Sequence, residues 1–200
     1  MTGVQTCALP ICVVGLAAGS NNLERLAEQA KKFLVPIVGT TGDSSKLKAL
    51  LPGVEVIDGP DSSRQIASLS CDVVLNGITG SIGLGPTLAA LEVGNKVALA
   101  NKESLVAGGD LVMSHGRDRI IPVDSEHSAL FQAMSAGKLS DVEKVILTAS
   151  GGPFRDRDDL SSVTVADALN HPTWSMGPVV TINSATLVNK GLEIIEAHYL

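Results

Sequence analysis

VVGLAAGSNNLERLAEQAKKFLVPIV, residues 13–38, contains one complete strand–helix–strand unit. Val13-Val14-Gly15-Leu16 is an apolar run that reads as a strand. Behind it Leu23, Leu26, Ala27, Ala30 and Phe33 recur at helical spacing, with Asn22 placed to cap the first turn. Residues 35–38 then form a second apolar strand. The unit repeats outward along the chain, with strand candidates at 54–57, 73–75, 97–100 and 120–123 and helix candidates at about 44–51, 61–69, 84–93 and 103–115. Such alternation predicts an α/β fold with a parallel sheet covered on both faces. The strands are apolar throughout rather than alternating, as doubly covered strands are.

The pattern changes near Asp124. A helix at 125–136 is predicted to lead to a strand at 142–148 and a loop containing Ser150-Gly151-Gly152-Pro153. A short helix near 164–169 precedes a Pro-bounded loop, a strand at 179–182 and a last helix beginning at Ser184. That helix still has an apolar face at Leu200, so the sequence reads as stopping inside a domain. The expected fold class is a Rossmann-like parallel sheet domain followed by the start of an α+β catalytic domain.

Bulk properties narrow the function classes. The 200 residues are 44% hydrophobic but only 2% aromatic, so the core is built from Ala, Val, Leu and Ile. A formal charge of −6 and a pI near 5.1 argue against a nucleic-acid or anionic-membrane partner. The longest uncharged run, 73–91, carries four glycines and Pro86, which suits strand, turn and helix better than a membrane span. Cys7, Cys12 and Cys71 have no repeated spacing and read as reduced thiols in a cytoplasmic protein.

Four groups of residues bear on chemistry. Asp124 and Glu126 flank Ser125 at the end of an apolar strand, where residues two apart share a side. Paired carboxylates repel unless a cation or proton lies between them, and hard oxygen ligands suit magnesium or manganese. The same residues also read as a cap for the 125–136 helix. Asn189, Lys190 and Glu193 fall within one arc of the last helix, offering an amide, a cation and a carboxylate. Ser184 stands at that helix's predicted start, a place suited to an anion; taken alone, an ordinary solvated face with a Ser cap and a Lys–Glu pair is the plainer reading of these residues. Ser150-Gly151-Gly152 is a turn whose N–H groups could face phosphate, and His171 and Trp174 lie in a loop that is either a lid or a segment pinned by a buried Trp. Gly77-Ile78-Thr79-Gly80-Ser81-Ile82-Gly83 has the spacing of a dinucleotide turn but follows about the fourth strand, so it reads as a packing turn. After the 13–16 strand, Gly19-Ser20-Asn21 carries no acidic residue, which leaves room for the 2′-phosphate of NADP.

Five of these segments together resemble the 1-deoxy-D-xylulose 5-phosphate reductoisomerase family: LANKESLV (99–106), PVDSEH (122–127), ASGGPFR (149–155), HPTWSMG (171–177) and NSATLVNKGLE (183–193). The resemblance implies an NADPH- and divalent-metal-dependent enzyme of non-mevalonate isoprenoid biosynthesis. It would rearrange and reduce 1-deoxy-D-xylulose 5-phosphate to 2-C-methyl-D-erythritol 4-phosphate. Asp124, Glu126 and Glu193 would be the Mg2+ or Mn2+ ligands. Ser125, Glu126, Ser150, His171, Trp174, Ser184, Asn189, Lys190 and Glu193 would hold the phosphorylated sugar, with Lys102 at its reacting end. The catalytic set would be Lys102, Asp124, Glu126, His171 and Glu193. Gly19, Ser20, Asn21, Asn101, Glu103 and Gly177 would line the NADPH site. Residues 1–12 match nothing in the family and are read as a foreign segment. Residues 13–123 then form the NADPH-binding domain without its first Gly-rich strand-turn, and 124–200 the first part of the catalytic domain. A chain of this kind is expected to be weak or inactive alone, homodimeric when full length, and cytoplasmic, or plastid if from a plant or alga. The competing readings are a non-catalytic α/β binding module and an NADP-dependent dehydrogenase that needs no metal.

Overall fold

The computed structural model of the protein describes residues 11–200, so most of the 1–12 segment, including Cys7, lies outside the described residues. The described chain divides into two compact units. The first takes the chain up to Asn76 together with Gly85–Val97, and the second Gly77–Leu84 together with Ala98–Leu200.

In the first unit, strands β1 (Leu16–Ala18), β2 (Ile37–Thr40) and β3 (Glu55–Asp58) form a parallel sheet in the order β1-β2-β3. Leu16 pairs with Val38, and Val38 with Val56. Helices α1 (Leu23–Lys32), α2 (Ser44–Leu50) and α3 (Ser62–Ala67) connect and follow these strands. Leu26, Ala27, Ala30, Val35, Val38, Leu47 and Leu51 make one buried cluster, flanked by Val13, Leu16 and Val56. Leu26, Ala27, Ala30 and Val38 of the 13–38 pattern lie in this core, whereas Phe33 is exposed beyond the end of α1 and the first strand runs over Leu16–Ala18 rather than 13–16. The small aliphatic residues of the core let α1 and α2 lie close to the sheet.

Asn22 caps α1 as expected, its Oδ1 accepting from Arg25 N at 2.9 Å. Asn22→Ala should therefore cost about 1 kcal/mol of stability in urea unfolding; no change in the unfolding midpoint would show that the cap contributes nothing. Asp43 caps α2 in the same way through Ser45 and Lys46 N.

A second sheet runs in the order β4 (Val73–Asn76), β5 (Lys96–Leu99), β6 (Ile120–Pro122). Val73 and Leu75 of β4 are exposed, so this strand is not covered on both faces as its apolar run suggested. Helix α4 (Leu84–Glu92) precedes β5, and α5 (Glu103–Met113) follows it. Within the second unit come α6 (Ser125–Met134), α7 (Val165–Leu169), α8 (Pro178–Ala185) and α9 (Val188–Tyr199).

Three expectations for this half are corrected. Residues 142–148 form no strand: Val142 is extended, but no partner strand pairs with the segment, and Val145 and Ile146 are exposed. Residues 179–182 are helical, inside α8. Their β-branched side chains suggested a strand, yet Pro178 at the first helical position presets the turn, and the Thr181 hydroxyl donates to Gly177 O at 2.9 Å. The last helix starts at Val188, not Ser184, because Leu187 adopts a left-handed conformation (φ 61°) that separates α8 from α9. Ser184 thus lies near the C-terminal end of α8, so no helix N-terminus stands behind its hydroxyl. Among the described residues no helix is long and apolar enough to cross a membrane.

Helix α5 packs on α9 through glycine. A Cβ on Gly109 would lie 2.2 Å from the Tyr199 ring. Gly108 departs from helical geometry (φ −146°, ψ 30°) and would bring a Cβ within 2.8 Å of Leu84. This close approach carries the N-terminal end of α5, with Lys102 and Glu103, and the α9 residues as parts of one unit.

Candidate active site

Asp124 follows β6 and occupies the N-cap of α6, with its Oδ1 accepting from Ser125 N at 3.0 Å. The cap reading of this residue is therefore met, and a cap made through Oδ1 does not exclude a ligand role for the carboxylate. The cap is a weak one, since the amide it engages is the adjacent one rather than the second or third of the helix. Glu126 stands in the first turn of α6, and Asn189, Lys190 and Glu193 rise from α9. One carboxylate oxygen from each of Asp124, Glu126 and Glu193 lies within 4.8 Å of the other two. A hard cation such as Mg2+ or Mn2+ needs this kind of donor set, so the residues fit the metal that the resemblance implies.

Two ammonium groups brace the carboxylates. Lys102 Nζ pairs with Asp124 Oδ2 at 2.6 Å and donates to Glu193 Oε1 at 3.0 Å and Asn189 Oδ1 at 2.9 Å. Lys190 Nζ donates to Glu126 Oε1 at 2.9 Å, to Glu193 Oε2 and to Thr148 O. Burial alone would lower both lysine pKa values, but the hydrogen bonds and charges of Asp124 and Glu193 hold Lys102 above its usual value, and those of Glu193 and Glu126 do so for Lys190. Glu126 feels burial in the opposite sense, yet bonds from Ser125 and Lys190 bring its carboxyl below the usual range. These shifts favour the charged forms of Lys102, Lys190 and Glu126, in a cluster that sets three carboxyl groups against two lysines.

These residues line a cavity of about 660 Å³ together with Ser125, Ser150, His171, Trp174 and Ser184. The whole expected substrate set thus meets in one place. His171 Nδ1 accepts from Thr173 N (3.2 Å) and Trp174 N (3.0 Å), so the ring's other nitrogen faces Ser150 Oγ at 3.3 Å as the donor. Trp174 is 64% exposed, which rules out the reading of a loop pinned by a buried Trp. The Ser150 turn does not simply present free amides: Gly152 N donates to Ser150 Oγ at 3.2 Å. Gly152 also approaches α8 so closely that a Cβ there would lie 2.7 Å from Ser184 O.

The expected cofactor residues are placed differently. Gly19, Ser20 and Asn21 are exposed in the first unit, just past the carboxyl end of β1, where ligands bind in open parallel sheets. Glu103 begins α5, and the exposed Gly177 caps α8. Asn101 is only 2% exposed, its carboxamide turned inward.

The sequence reading assigned no role to the pair beneath the carboxylates. His127 and Glu196 are buried, with Nδ1 and Oε2 3.3 Å apart. His127 Nε2 lies 3.0 Å from Glu193 O and, since a carbonyl only accepts, must be the donor. The pair ties α6 to α9. Glu196 stands three residues beyond Glu193 on the same helix, a spacing that places both on one face and could have marked it. Burial, then the negative charge of Asp124, push the Glu196 carboxyl up to about 8. Its folded-state pKa exceeds the roughly 4.3 of an unfolded Glu, so its stabilising contribution is complete below that value and is lost as pH rises through about 8. Glu196→Gln should be more stable than the parent near pH 9, by on the order of 1 kcal/mol, with a flatter pH dependence in urea unfolding; an equally steep loss of stability would contradict the assignment.

Comparison with known proteins shows the family. A family model described as 1-deoxy-D-xylulose 5-phosphate reductoisomerase matches residues 4–109, and one for the C-terminal domain of the same enzyme matches residues 120–200. The 1-deoxy-D-xylulose 5-phosphate reductoisomerase of Streptomyces coelicolor is 55% identical over 201 residues, covering 94% of this chain and 48% of the relative. That of Arthrobacter sp. is also 55% identical, over 203 residues, covering 94% of this chain and 52% of the relative. The chain spans about half the length of these curated relatives. A crystal structure of DOX-P reductoisomerase in complex with NADPH, fosmidomycin and magnesium aligns with a TM-score of 0.83 at 36% identity, over 94% of this chain and 51% of that one. The Zymomonas mobilis enzyme in complex with NADPH aligns with a TM-score of 0.83 at 39% identity, over 94% of this chain and 50% of that one. The α/β fold is that of these enzymes, and the chain belongs to the 1-deoxy-D-xylulose 5-phosphate reductoisomerase family.

Proposed function

We propose that the chain carries the metal and substrate site of an enzyme that converts 1-deoxy-D-xylulose 5-phosphate to 2-C-methyl-D-erythritol 4-phosphate with NADPH. The observation that supports this most is the convergence of Asp124, Glu126 and Glu193, braced by Lys102 and Lys190, in one cavity of a chain from this family. Asp124, Glu126 and Glu193 hold a divalent cation, which supplies Lewis acidity for the rearrangement, while NADPH supplies the hydride for the reduction. Lys102, paired with two of those carboxylates, sets a positive charge beside the reacting end of the substrate. Ser150, His171, Ser184, Asn189 and Lys190 take the phosphate and hydroxyl oxygens, and His171 Nε2–H is oriented for that by the two amides on Nδ1. Ser125 holds the Glu126 carboxylate through its hydroxyl at 2.7 Å. Trp174 lines the cavity and belongs to the loop that closes over the substrate and limits water.

For the cofactor, Gly19, Ser20 and Asn21 of the first unit offer a surface without a carboxylate, suited to the 2′-phosphate of NADPH; within the second unit the resemblance assigns Asn101, Glu103 and Gly177 to it. On this reading residues 13–123 are the NADPH-binding domain and 124–200 begin the catalytic domain. The full-length protein is a cytoplasmic homodimer acting on a phosphorylated sugar.

Isothermal titration with fosmidomycin, the ligand of a structural relative, tests the assignment. Binding should require Mg2+ or Mn2+ and should fall at least about tenfold in Asp124→Ala and in Lys190→Ala. Binding that needs no metal and tolerates both substitutions would overturn it.

A further inference from the structure

Helices α6 and α9, which carry the proposed cation ligands, are not joined through apolar faces. Phe131 of α6 and Ile194 and Ile195 of α9 are exposed, although a helix ordinarily turns its apolar stripe to the core. Among the described residues the buried side chains are polar instead: His127 alone in α6, and Glu193 and Glu196 in α9. His127 Nε2 donates to the main-chain carbonyl of Glu193 at 3.0 Å. Its Nδ1 faces Glu196 Oε2 at 3.3 Å, and one proton between the two atoms makes that contact a hydrogen bond. Buried polar groups are costly unless paired in this way. A second link between the helices, Lys190 to Glu126, lies within the site itself. One buried ring thus ties the turn of α9 that bears Glu193 to the turn of α6 that bears Glu126 and is capped by Asp124.

We propose that His127 and Glu196 are positioning residues for the cation site. The ring sets the spacing of the two helices by holding Glu193 O, and Glu196 sets the ring. The cation half rests on the assignment of Asp124, Glu126 and Glu193 to a divalent metal; the tether between the helices does not. Asp124, His127 and Glu196 also bring one donor atom each within 4.8 Å of one another, so the test has to separate positioning from a direct ligand role.

Mn2+ titration by electron paramagnetic resonance, beside urea unfolding of the same whole-chain variants, does so. His127→Leu, of similar bulk without a polar atom, should weaken Mn2+ binding at least about tenfold. His127→Gln, whose amide can donate to Glu193 O, should recover at least about threefold of that loss. Glu196→Leu should weaken binding about fivefold, but Glu196→Gln less than about twofold, since Gln lacks the charge and can still bond Nδ1. Glu196→Leu should add less than about twofold to His127→Leu, because it acts through the ring. Val112→Ala, a change at a buried site in α5, should lower the urea midpoint and leave Mn2+ affinity within about twofold. Near-normal Mn2+ affinity in His127→Leu would overturn the proposal. An equal loss of affinity in Val112→Ala would do the same, by marking a general loss of structure. A loss in Glu196→Gln as large as in Glu196→Leu would overturn positioning in favour of a direct charge or ligand. If the unaltered chain binds no Mn2+, the cation assignment fails, and amide exchange still decides the tether. The α6 amides should exchange at least about fivefold faster in His127→Leu than in the parent, and unchanged exchange would overturn the tether.

Discussion

Glu193→Ala is expected to cost about 3 kcal/mol of folding stability and to remove divalent-cation binding together. Glu193 is 1% exposed, and its two carboxylate oxygens face two different ammonium groups, Lys102 and Lys190. Without it each lysine keeps one carboxylate partner, Asp124 or Glu126, but both stand beside a new cavity with part of their charge uncompensated. Breaking a buried pair from one side typically costs about 3–5 kcal/mol, and the retained partners place this case at the lower end. Glu193→Gln should restore most of the stability through its remaining polar atoms while leaving metal binding impaired. Urea unfolding and Mn2+ titration of the two variants check this. An alanine variant as stable as the parent would show that the lysines do not depend on Glu193.

Gly109→Ala should destabilise the second unit by about 2 kcal/mol, although Ala is the better helix former. The added Cβ would lie 2.2 Å from the Tyr199 ring, so either the ring leaves its place or α5 and α9 separate, and overpacking of this kind costs about 1–3 kcal/mol. Separation would also draw Lys102, at the N-terminal end of α5, away from Asn189 and Glu193 on α9. Combining it with Tyr199→Ala should recover most of the loss, since the obstructing ring is gone. A stabilised Gly109→Ala, as propensity alone predicts, would refute this account of the α5–α9 packing.

The first half of the fold was legible because its signals are local. The apolar runs ending near Val38, Ile57 and Leu99 correspond to β2, β3 and β5, and Asn22 caps α1 where its side chain chemistry placed it. The second half was less legible because tertiary context overrode propensity. The 179–182 run has the residues of a strand, yet Pro178 and the Thr181–Gly177 bond start a helix there. Leu187 in a left-handed conformation carries no residue-type signal at all, so the true start of α9 was missed and with it the position of Ser184.

Within the site, the acidic and basic residues stood out because carboxylates and amines in apolar surroundings are conspicuous. Spacing alone offered the Asp124–Glu126 pair and the Asn189–Glu193 arc only as candidates, behind a helix cap and a solvated face, and the family resemblance put them into one site. Lys102, 91 residues from Glu193 in sequence and 3.0 Å away in space, could be placed only through family resemblance. His127 and Glu196 escaped notice because they meet only across two helices far apart in sequence; the spacing of Glu196 from Glu193 was the one available mark. Nothing in LANKESLV says which way the Asn101 amide points, so its bonds to Ile78 O and Gly80 O could not be read from the sequence.

The proposed divalent-cation site is made by Asp124, Glu126 and Glu193. Electron paramagnetic resonance titration of the chain with Mn2+ tests it most directly. One Mn2+ should be bound per chain, and Asp124→Ala, Glu126→Ala and Glu193→Ala should each weaken binding by at least about 10²-fold, whereas Ser184→Ala should leave it unchanged. Full Mn2+ binding in any of the three carboxylate variants would contradict the account.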